Sequence, residues 1–479
     1  MSLPAPRPIS VAELDLDAPD GGGPALRPAP GGPPVVPGDV YALVRLRGRP
    51  VATVIGAYAA GENPAEVLAA LARRRLADAG PPRTDAERLA ASHPDGGPTE
   101  PAPRAATARP AATTPRTARP AAPASHPVAP RPVRPAQAAP RLSVVLATRE
   151  RPRSLARALD SLLAQDHPDH ELIVVDNAPR TSGTHDLVTR KYSGRVRYVR
   201  EDTPGLAVAH NTGLAAARGA VVAFTDDDVI ADPHWLTALA EPFATDPGLG
   251  CVTGLILPAR LRTPAQILLE SHGGFAKGFA PRLYDPARPP ADEPLFPFTA
   301  GSFGSGANMA FRTEALRRAG GFDPATGTGT PAKGGDDLYA FVAVLTAGFR
   351  LRYTADALVW HHHRDTWQDL RNQAYGYGAG LTAYLTATLV RSPRLLPALL
   401  ARLPRGLAYA RTMTAQRGGT GGGTGEGTGR TVTGVPGEHR AHHHPWPAAL
   451  SRLERRGMLY GPIGYAKARI RTRRGKATP

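Results

Sequence analysis

Short apolar runs alternate with helix-like patterns along the middle of the chain. The segments between the runs carry apolar residues at helical spacing, as Leu155, Leu159 and Leu162 show. Runs typical of buried strands occupy residues 142–147, 171–176, 196–200, 220–224 and 251–257. Strands that alternate with helices predict an α/β domain whose mostly parallel sheet is covered by helices on both faces.

A second pattern near the N-terminus predicts a smaller unit over residues 38–80. Residues 41–47 and 51–55 have the composition of two strands of a hairpin, and Asn63 followed by Pro64 is typical of the start of a helix. About forty residues can hardly bury a core alone, so we expect this unit to dock on the larger domain.

The 51 glycines and 52 prolines form clusters that predict the connectors. Residues 1–37 lack apolar periodicity and are expected to be disordered. Residues 81–140 are rich in Pro, Ala and Arg, and residues 418–450 are rich in Gly and His, so both are predicted to be linkers. The remaining segments are the α/β domain over 141–385, a helical segment over 386–417 and a basic tail over 451–479.

The net charge of +17 would indicate a nucleic-acid partner if it were spread evenly. Residues 142–375, however, carry 24 basic and 26 acidic side chains, so the excess lies outside the predicted domain and we expect no nucleic-acid partner. Two interpretations of residues 386–417 and 451–479 stay open. They make weak contact with an anionic membrane surface, or they form a solvated tail or a helix packed on the α/β domain.

The composition excludes some classes of protein. Cys251 is the single cysteine, so neither a disulfide framework nor a thiolate zinc site can form within the chain. The N-terminus lacks the pattern of an export signal, and glycines interrupt the longest uncharged run, residues 372–390. We expect a cytoplasmic protein, with peripheral contact at the inner face of the membrane as the open alternative.

Polar residues follow the predicted strands, where ligands bind in sheets of this type. Residues after the strands that could bind a ligand are Thr148, Arg149, Glu150, Asp176, Asn177, Asp226 and Asp227, and Asn211 lies on the helix predicted near residues 207–217. The run 226–228 is three adjacent carboxylates, which repel one another and suit a hard divalent cation such as Mg²⁺ or Mn²⁺. The alternative is a solvated turn or the N-cap of the next helix.

A later acidic pair, Asp336 and Asp337, follows two glycines and precedes an apolar helix, and His361 ends a strand. A carboxylate separate from a metal cluster can act as a general base for a hydroxyl group. The alternatives are an N-cap for the acidic pair and a core contact for the histidine.

Taken together, the order and spacing of these motifs resemble family-two glycosyltransferases with the GT-A fold, over residues 142–385. The motifs occupy residues 142–149, 173–177, 205–213, 224–229, 306–309, 334–337 and 360–361. The resemblance implies that a sugar passes from a nucleotide-diphosphate donor to an acceptor hydroxyl with inversion. The acceptor, whether glycan, lipid or small molecule, stays open.

The resemblance also implies roles for individual residues. The candidates for donor binding are Thr148, Arg149, Glu150, Asp176, Asn177, Asn211, Asp226 and Asp227. Asp176 matches the residue that reads the nucleobase, and Thr148 and Arg149 match the pocket floor beside it. Asp226 and Asp228 match the outer carboxylates of the metal motif, and His361 matches a histidine near the metal and diphosphate. Asp337 matches the catalytic base. The pair reads Asp-Asp where the family often has Glu-Asp, so the choice between Asp336 and Asp337 stays open.

Two other functions remain as alternatives. A nucleotidyltransferase that makes nucleotide-sugars would use a similar fold and metal, but residues 147–150 lack the glycines of its usual signature. A non-catalytic scaffold that binds nucleotides or carbohydrates would not need the full set of carboxylates.

Overall fold

The computed structural model describes residues 7–17, 23–78, 140–272, 274–402, 404 and 446–476. Residues 81–139 of the expected linker over 81–140 and residues 418–445 of the one over 418–450 therefore lie outside the described residues, as do 405–417 of the helical segment.

The predicted strands of the α/β domain form one large sheet. Its strands are β5 (Leu142–Thr148), β6 (His170–Asn177), β7 (Val196–Glu201), β8 (Val221–Asp226), β9 (Val229–Ala231), β10 (Leu249–Pro258), β11 (Arg282–Tyr284), β12 (Asn308–Arg312) and β13 (Arg350–His361). The order is β11-β13-β10-β12-β8-β5-β6-β7, with β9 paired to β13. Within the described residues β9, β11 and β12 run against the other six, so the expected mostly parallel sheet is confirmed.

Helices cover both faces of this sheet, as the GT-A-type architecture requires. They are α2 (Pro152–Leu162), α3 (Gly183–Lys191), α4 (Leu206–Ala216), α5 (Trp235–Thr245), α6 (Pro264–Ser271), α7 (Thr313–Arg318), α8 (Asp336–Thr346) and α9 (Trp367–Arg391). Along β5, Val144 and Leu146 enter one core while Val145 enters the other. Burial on both faces explains why the strands appear in the sequence as continuous apolar runs.

The N-terminal unit is a four-stranded sheet, larger than the expected hairpin. Its strands are β1 (Ser10–Asp15), β2 (Ala25–Pro28), β3 (Gly38–Leu46) and β4 (Arg49–Tyr58), in the order β2-β1-β3-β4, and α1 (Pro64–Asp78) packs on it. The expectation that residues 1–37 are disordered is wrong for β1 and β2. β1 pairs in parallel with β3, and this long-range pairing leaves little trace in the local composition.

The N-terminal sheet docks on the α/β domain, as expected. Ile9, Val11, Tyr41 and Leu43 share a buried apolar core with β10 and β13. The buried Arg45 guanidinium pairs with the Asp232 carboxylate across the same contact.

The end of the described chain is the helix α10 (Ala448–Lys476), which packs along α9. Residues 451–476 are therefore a packed helix and not a solvated tail. Glycines on both helices let α9 and α10 approach each other closely. A Cβ at Gly378 would meet the Glu454 carbonyl oxygen, and one at Gly457 would meet that of Tyr375. Within the described residues, no helix has the length and apolarity needed to cross a membrane.

Candidate active site

The acidic turn after β8 and the end of β13 meet at one edge of the sheet. β9 follows the turn directly and pairs with β13, with Val229 opposite His361. This register places His361 Nε2 3.4 Å from Asp228 Oδ1. One ligand atom from each of Asp226, Asp228 and His361 lies within 4.8 Å of the others.

The charges of this cluster suit a divalent cation. Burial and the carboxylates of Asp228 and Asp227 raise the pKa of Asp226 well above its ordinary value. Burial lowers the pKa of His361 to about 4, so its imidazole is neutral near pH 7. Two carboxylates and a neutral imidazole are a donor set for Mg²⁺ or Mn²⁺.

Arg151, at the start of α2, neutralises the rest of the acidic turn. It pairs with Asp227, and its Nη2 lies 2.9 Å from Asp228 Oδ2. Thr148 Oγ1 also donates a 2.6 Å hydrogen bond to Asp227. Asp227 is thus engaged within the protein, whereas Asp228 Oδ1 faces His361. The sequence interpretation did not assign Arg151 a role, although it follows the Thr148–Glu150 run directly.

The second acidic pair begins α8. Gly335 caps this helix with φ of 86°, which places Asp336 and Asp337 in its first turn. Asp336 is buried with its Oδ2 3.2 Å from His210 Nδ1, another residue that the sequence interpretation missed. Asp337 is half-buried and accepts a 2.8 Å hydrogen bond from the Gly306 backbone N–H.

The Asp336 carboxylate acts electrostatically on its neighbour Asp337. Burial, followed by the neighbouring Asp336 carboxylate, raises the pKa of Asp337 to about 6. Both carboxylates also contribute to the raised pKa of Asp226, so the acidic pair lies close to the metal-ligand cluster. Lys277 lies near Asp337, and burial lowers its pKa against the opposing effect of that carboxylate.

The β5–β6 and β5–β8 registers align the remaining candidates along the same edge. Thr148 lies opposite Asp176, and Ala147 lies opposite Asp226. Asp176 is fully buried and accepts a 2.9 Å hydrogen bond from the Tyr198 hydroxyl, and burial raises its pKa. Arg149 is exposed beside it.

Three further residues that were predicted to bind the donor make hydrogen bonds to the protein's own backbone. Glu150 accepts hydrogen bonds from the backbone N–H groups of residues 180 and 181. Asn177 bonds the backbone of residues 203 and 205, and Asn211 makes two hydrogen bonds to the backbone of Phe322. These contacts order the loops around the site.

The segment between β10 and β12 contributes aromatic side chains both to the core and to the candidate site. Phe296 and Phe298 are buried in the core or beside it. The Phe275 ring instead packs against His361 and His363, with centroid distances of 5.1 and 5.6 Å.

Comparison with known proteins identifies relatives of this domain. Residues 143–319 match the sequence model of the family described as glycosyl transferase family 2. A pre-mycofactocin glycosyltransferase of Mycobacterium tuberculosis is 30% identical over 245 residues, which are 50% of this chain and 46% of that protein. A glucosyl-dolichyl phosphate glucuronosyltransferase of Haloferax volcanii is 24% identical over 201 residues, which are 39% and 57% of the two chains. The chain thus spans less than two thirds of the length of these relatives.

The solved structures that this chain matches include the mannosyltransferase PcManGT from Pyrobaculum calidifontis in complex with GDP-Man and Mn²⁺. Its TM-score is 0.38 at 23% sequence identity, and the match covers 59% of this chain and 77% of that chain. On the evidence of the matched segment, residues 143–319 form a glycosyltransferase domain that belongs to glycosyl transferase family 2.

Proposed function

We propose that the chain transfers a sugar from a nucleotide-diphosphate-sugar to an acceptor hydroxyl, with inversion and with the help of a divalent cation. The observation that carries this proposal is the convergence of Asp226, Asp228 and His361 at the carboxyl edge of the sheet, close to Asp337. Relatives named for transfer to pre-mycofactocin and to a glucosyl-dolichyl phosphate support either a small-molecule or a lipid-linked acceptor.

The residues take distinct roles in this proposal. Asp226, Asp228 and His361 would hold Mg²⁺ or Mn²⁺, which stabilises the charge that develops on the nucleoside diphosphate as it leaves. Asp176, Thr148 and Arg149 lie where the nucleoside would bind.

We assign the base to Asp337. It is less buried than Asp336, and its pKa of about 6 lets it accept a proton from the acceptor hydroxyl near neutral pH. Asp336, paired with His210, raises that pKa and so acts as a positioning residue.

A panel of nucleotide-sugars with Mn²⁺ or Mg²⁺ tests the proposal. We expect slow donor hydrolysis that releases a nucleoside diphosphate and that stops when EDTA removes the cation. Formation of a nucleoside triphosphate and a sugar 1-phosphate when pyrophosphate is added to the same panel would support the nucleotidyltransferase alternative instead. Binding of nucleotide-sugars without turnover, with or without an acceptor, would support the scaffold.

We also propose a weak peripheral contact between α10 and an anionic membrane surface. Leu459, Ile463 and Ile470 lie on its outer face and are 80%, 54% and 53% exposed, among several arginines. Exposed apolar side chains flanked by cations suit the headgroup region of a bilayer.

A further inference from the structure

We propose that Glu270, held by Tyr41 of the N-terminal sheet, acts through His363 to fix the tautomer and orientation of the His361 imidazole. The proposal rests on the proposed function in so far as His361 binds a cation. It assigns Tyr41, Glu270 and His363 as positioning residues of the metal site, and it gives the docked N-terminal sheet a part in the chemistry.

A continuous line of polar contacts connects the two domains. His361 Nδ1 lies 3.0 Å from His363 Nδ1, and His363 Nε2 lies 3.1 Å from Glu270 Oε2. The Tyr41 hydroxyl donates to the other carboxylate oxygen, Oε1, at 3.4 Å. At the opposite end, His361 Nε2 faces Asp228 Oδ1 at 3.4 Å.

The positions of the protons follow from the carboxylate. A carboxylate oxygen accepts hydrogen bonds, so the 3.1 Å contact with Glu270 Oε2 assigns an N–H to His363 Nε2 and leaves the lone pair of His363 Nδ1 for His361. That lone pair accepts from His361, whose proton therefore sits on Nδ1. The lone pair of His361 then lies on Nε2, the atom that faces Asp228 and the proposed cation. An imidazole ligand is commonly oriented in this way by the partner of its other nitrogen.

Burial keeps the line of contacts free of competing water. The His363 side chain is fully buried and that of Glu270 is 11% exposed. The Phe275 ring packs on both histidines. Burial and the Glu270 carboxylate raise the pKa of Tyr41 well above its ordinary value, so its hydroxyl keeps its proton and donates.

Tyr41 reaches Glu270 only because the N-terminal sheet is docked. Tyr41 lies on β3 and is buried in the core shared with β10 and β13, whereas Glu270 lies on α6 of the α/β domain. Separation of the two domains would remove the one hydrogen bond that the N-terminal sheet makes to this line of contacts within the described residues.

The proposal is tested by titrating the full-length protein with Mn²⁺ and measuring the free ion by EPR. We expect Glu270→Leu, which removes the acceptor, to raise the Mn²⁺ dissociation constant about 10 to 100-fold. Glu270→Gln keeps an acceptor oxygen and should stay close to wild type, and Tyr41→Phe should show a smaller loss. Tyr58→Phe, a buried tyrosine on β4 of the same sheet, is the matched control and should change nothing. Equal affinities of Glu270→Leu and wild type, at an unchanged melting temperature, would overturn the proposal.

The tautomer itself can be read without metal by NMR of protein labelled with ¹⁵N-histidine, with His361→Gln used for assignment. We expect Nδ1–H at His361 in the wild type and loss of this preference in Glu270→Leu. An Nε2–H form in the wild type would contradict the proposed role of Glu270 and His363. If Asp228→Asn binds Mn²⁺ as well as wild type, the proposed metal site is wrong. The tautomer of His361 then still tests whether Glu270 and His363 orient this ring.

Discussion

At the scale of single residues, the clearest assignment is Asp337 as the base. Replacement by Asn keeps the shape of this side chain and an acceptor oxygen for one of its two backbone N–H partners, Gly306 and Leu338, but removes its ability to accept a proton. We expect Asp337→Asn to lower kcat about 10² to 10⁴-fold, with little change in donor affinity. Transfer rates and donor binding by calorimetry check this, and Asp160→Asn on the exposed surface of α2 is the control. A near-normal rate for Asp337→Asn would contradict the assignment.

The rate should also depend on pH in a defined direction. Burial and the Asp336 carboxylate raise the pKa of Asp337 to about 6, above its ordinary value of 3.8, so the base becomes protonated as the pH falls through about 6. We expect kcat to decline on this acid limb. Asp336→Asn removes the like charge and should shift the limb to lower pH, which a pH profile of both proteins measures. An unmoved limb would show that Asp336 does not influence the titrating group.

The sequence located the acidic residues but not their partners. Asp226 and Asp228 were recognisable because carboxylates after a buried strand have no packing role, and His361 was recognisable through the family resemblance. Asn177 and Asn211 were assigned to donor binding because the local sequence does not indicate their backbone partners, which lie far along the chain. Asn211, for example, bonds Phe322, 111 residues along the chain. Such pairings depend on the finished fold and leave no local pattern.

At the scale of secondary structure, the contact between α9 and α10 depends on small residues. Gly→Ala inside a helix ordinarily stabilises by up to about 1 kcal/mol. At Gly457 the added methyl group would meet the Tyr375 carbonyl oxygen, so we expect Gly457→Ala to lower the free energy of unfolding by about 1 to 3 kcal/mol. Urea denaturation measures this change.

Gly376→Ala on α9 is the matched control for that experiment. A Cβ there would lie 3.7 Å from the Lys333 carbonyl oxygen, an ordinary contact, so this variant should be neutral or more stable. Equal effects of the two substitutions would contradict the proposed steric cause.

The strands of the large sheet were predictable from the sequence, whereas the packed helix α10 was not. The long strands were evident from their apolar runs, because both faces of each are buried. Gly376, Gly378 and Gly380 indicated a poor spanning segment, yet the positive role of Gly378 is to let α10 approach α9, and that of Gly380 is to let the loop before Asp336 do so. The composition of α10, rich in arginine, resembles a tail because only one face packs.

At the scale of the whole molecule, docking of the N-terminal sheet depends on the buried Arg45. Its guanidinium pairs with Asp232 and Glu13, whose side chains are 7% and 13% exposed. Arg45→Met would leave these carboxylates uncompensated, and we expect a loss of about 3 to 5 kcal/mol in stability. Thermal and urea unfolding measure it. Arg49→Met, at the half-exposed pair with Asp356, is the control and should cost less than about 1 kcal/mol. A similarly small loss for Arg45→Met would contradict this role.

Part of the net charge of +17 lies on α10, whose residues 448–476 carry nine basic side chains and one acidic side chain. The apolar residues Leu459, Ile463 and Ile470 face outward, so we expect the full-length protein to sediment with anionic vesicles and not with neutral ones. Replacement of all three by Ser should weaken this binding, because the apolar side chains would no longer insert and only the nearby cations, at about 1 kcal/mol each, would remain. Leu459, Ile463 and Ile470 make no core contact, so stability and donor turnover should stay unchanged, which separates membrane contact from folding. Equal sedimentation of the triple variant and the wild type would contradict the membrane contact. The outer face of α10 would then face solvent, and the role of the helix would be to pack against α9 with its inner face.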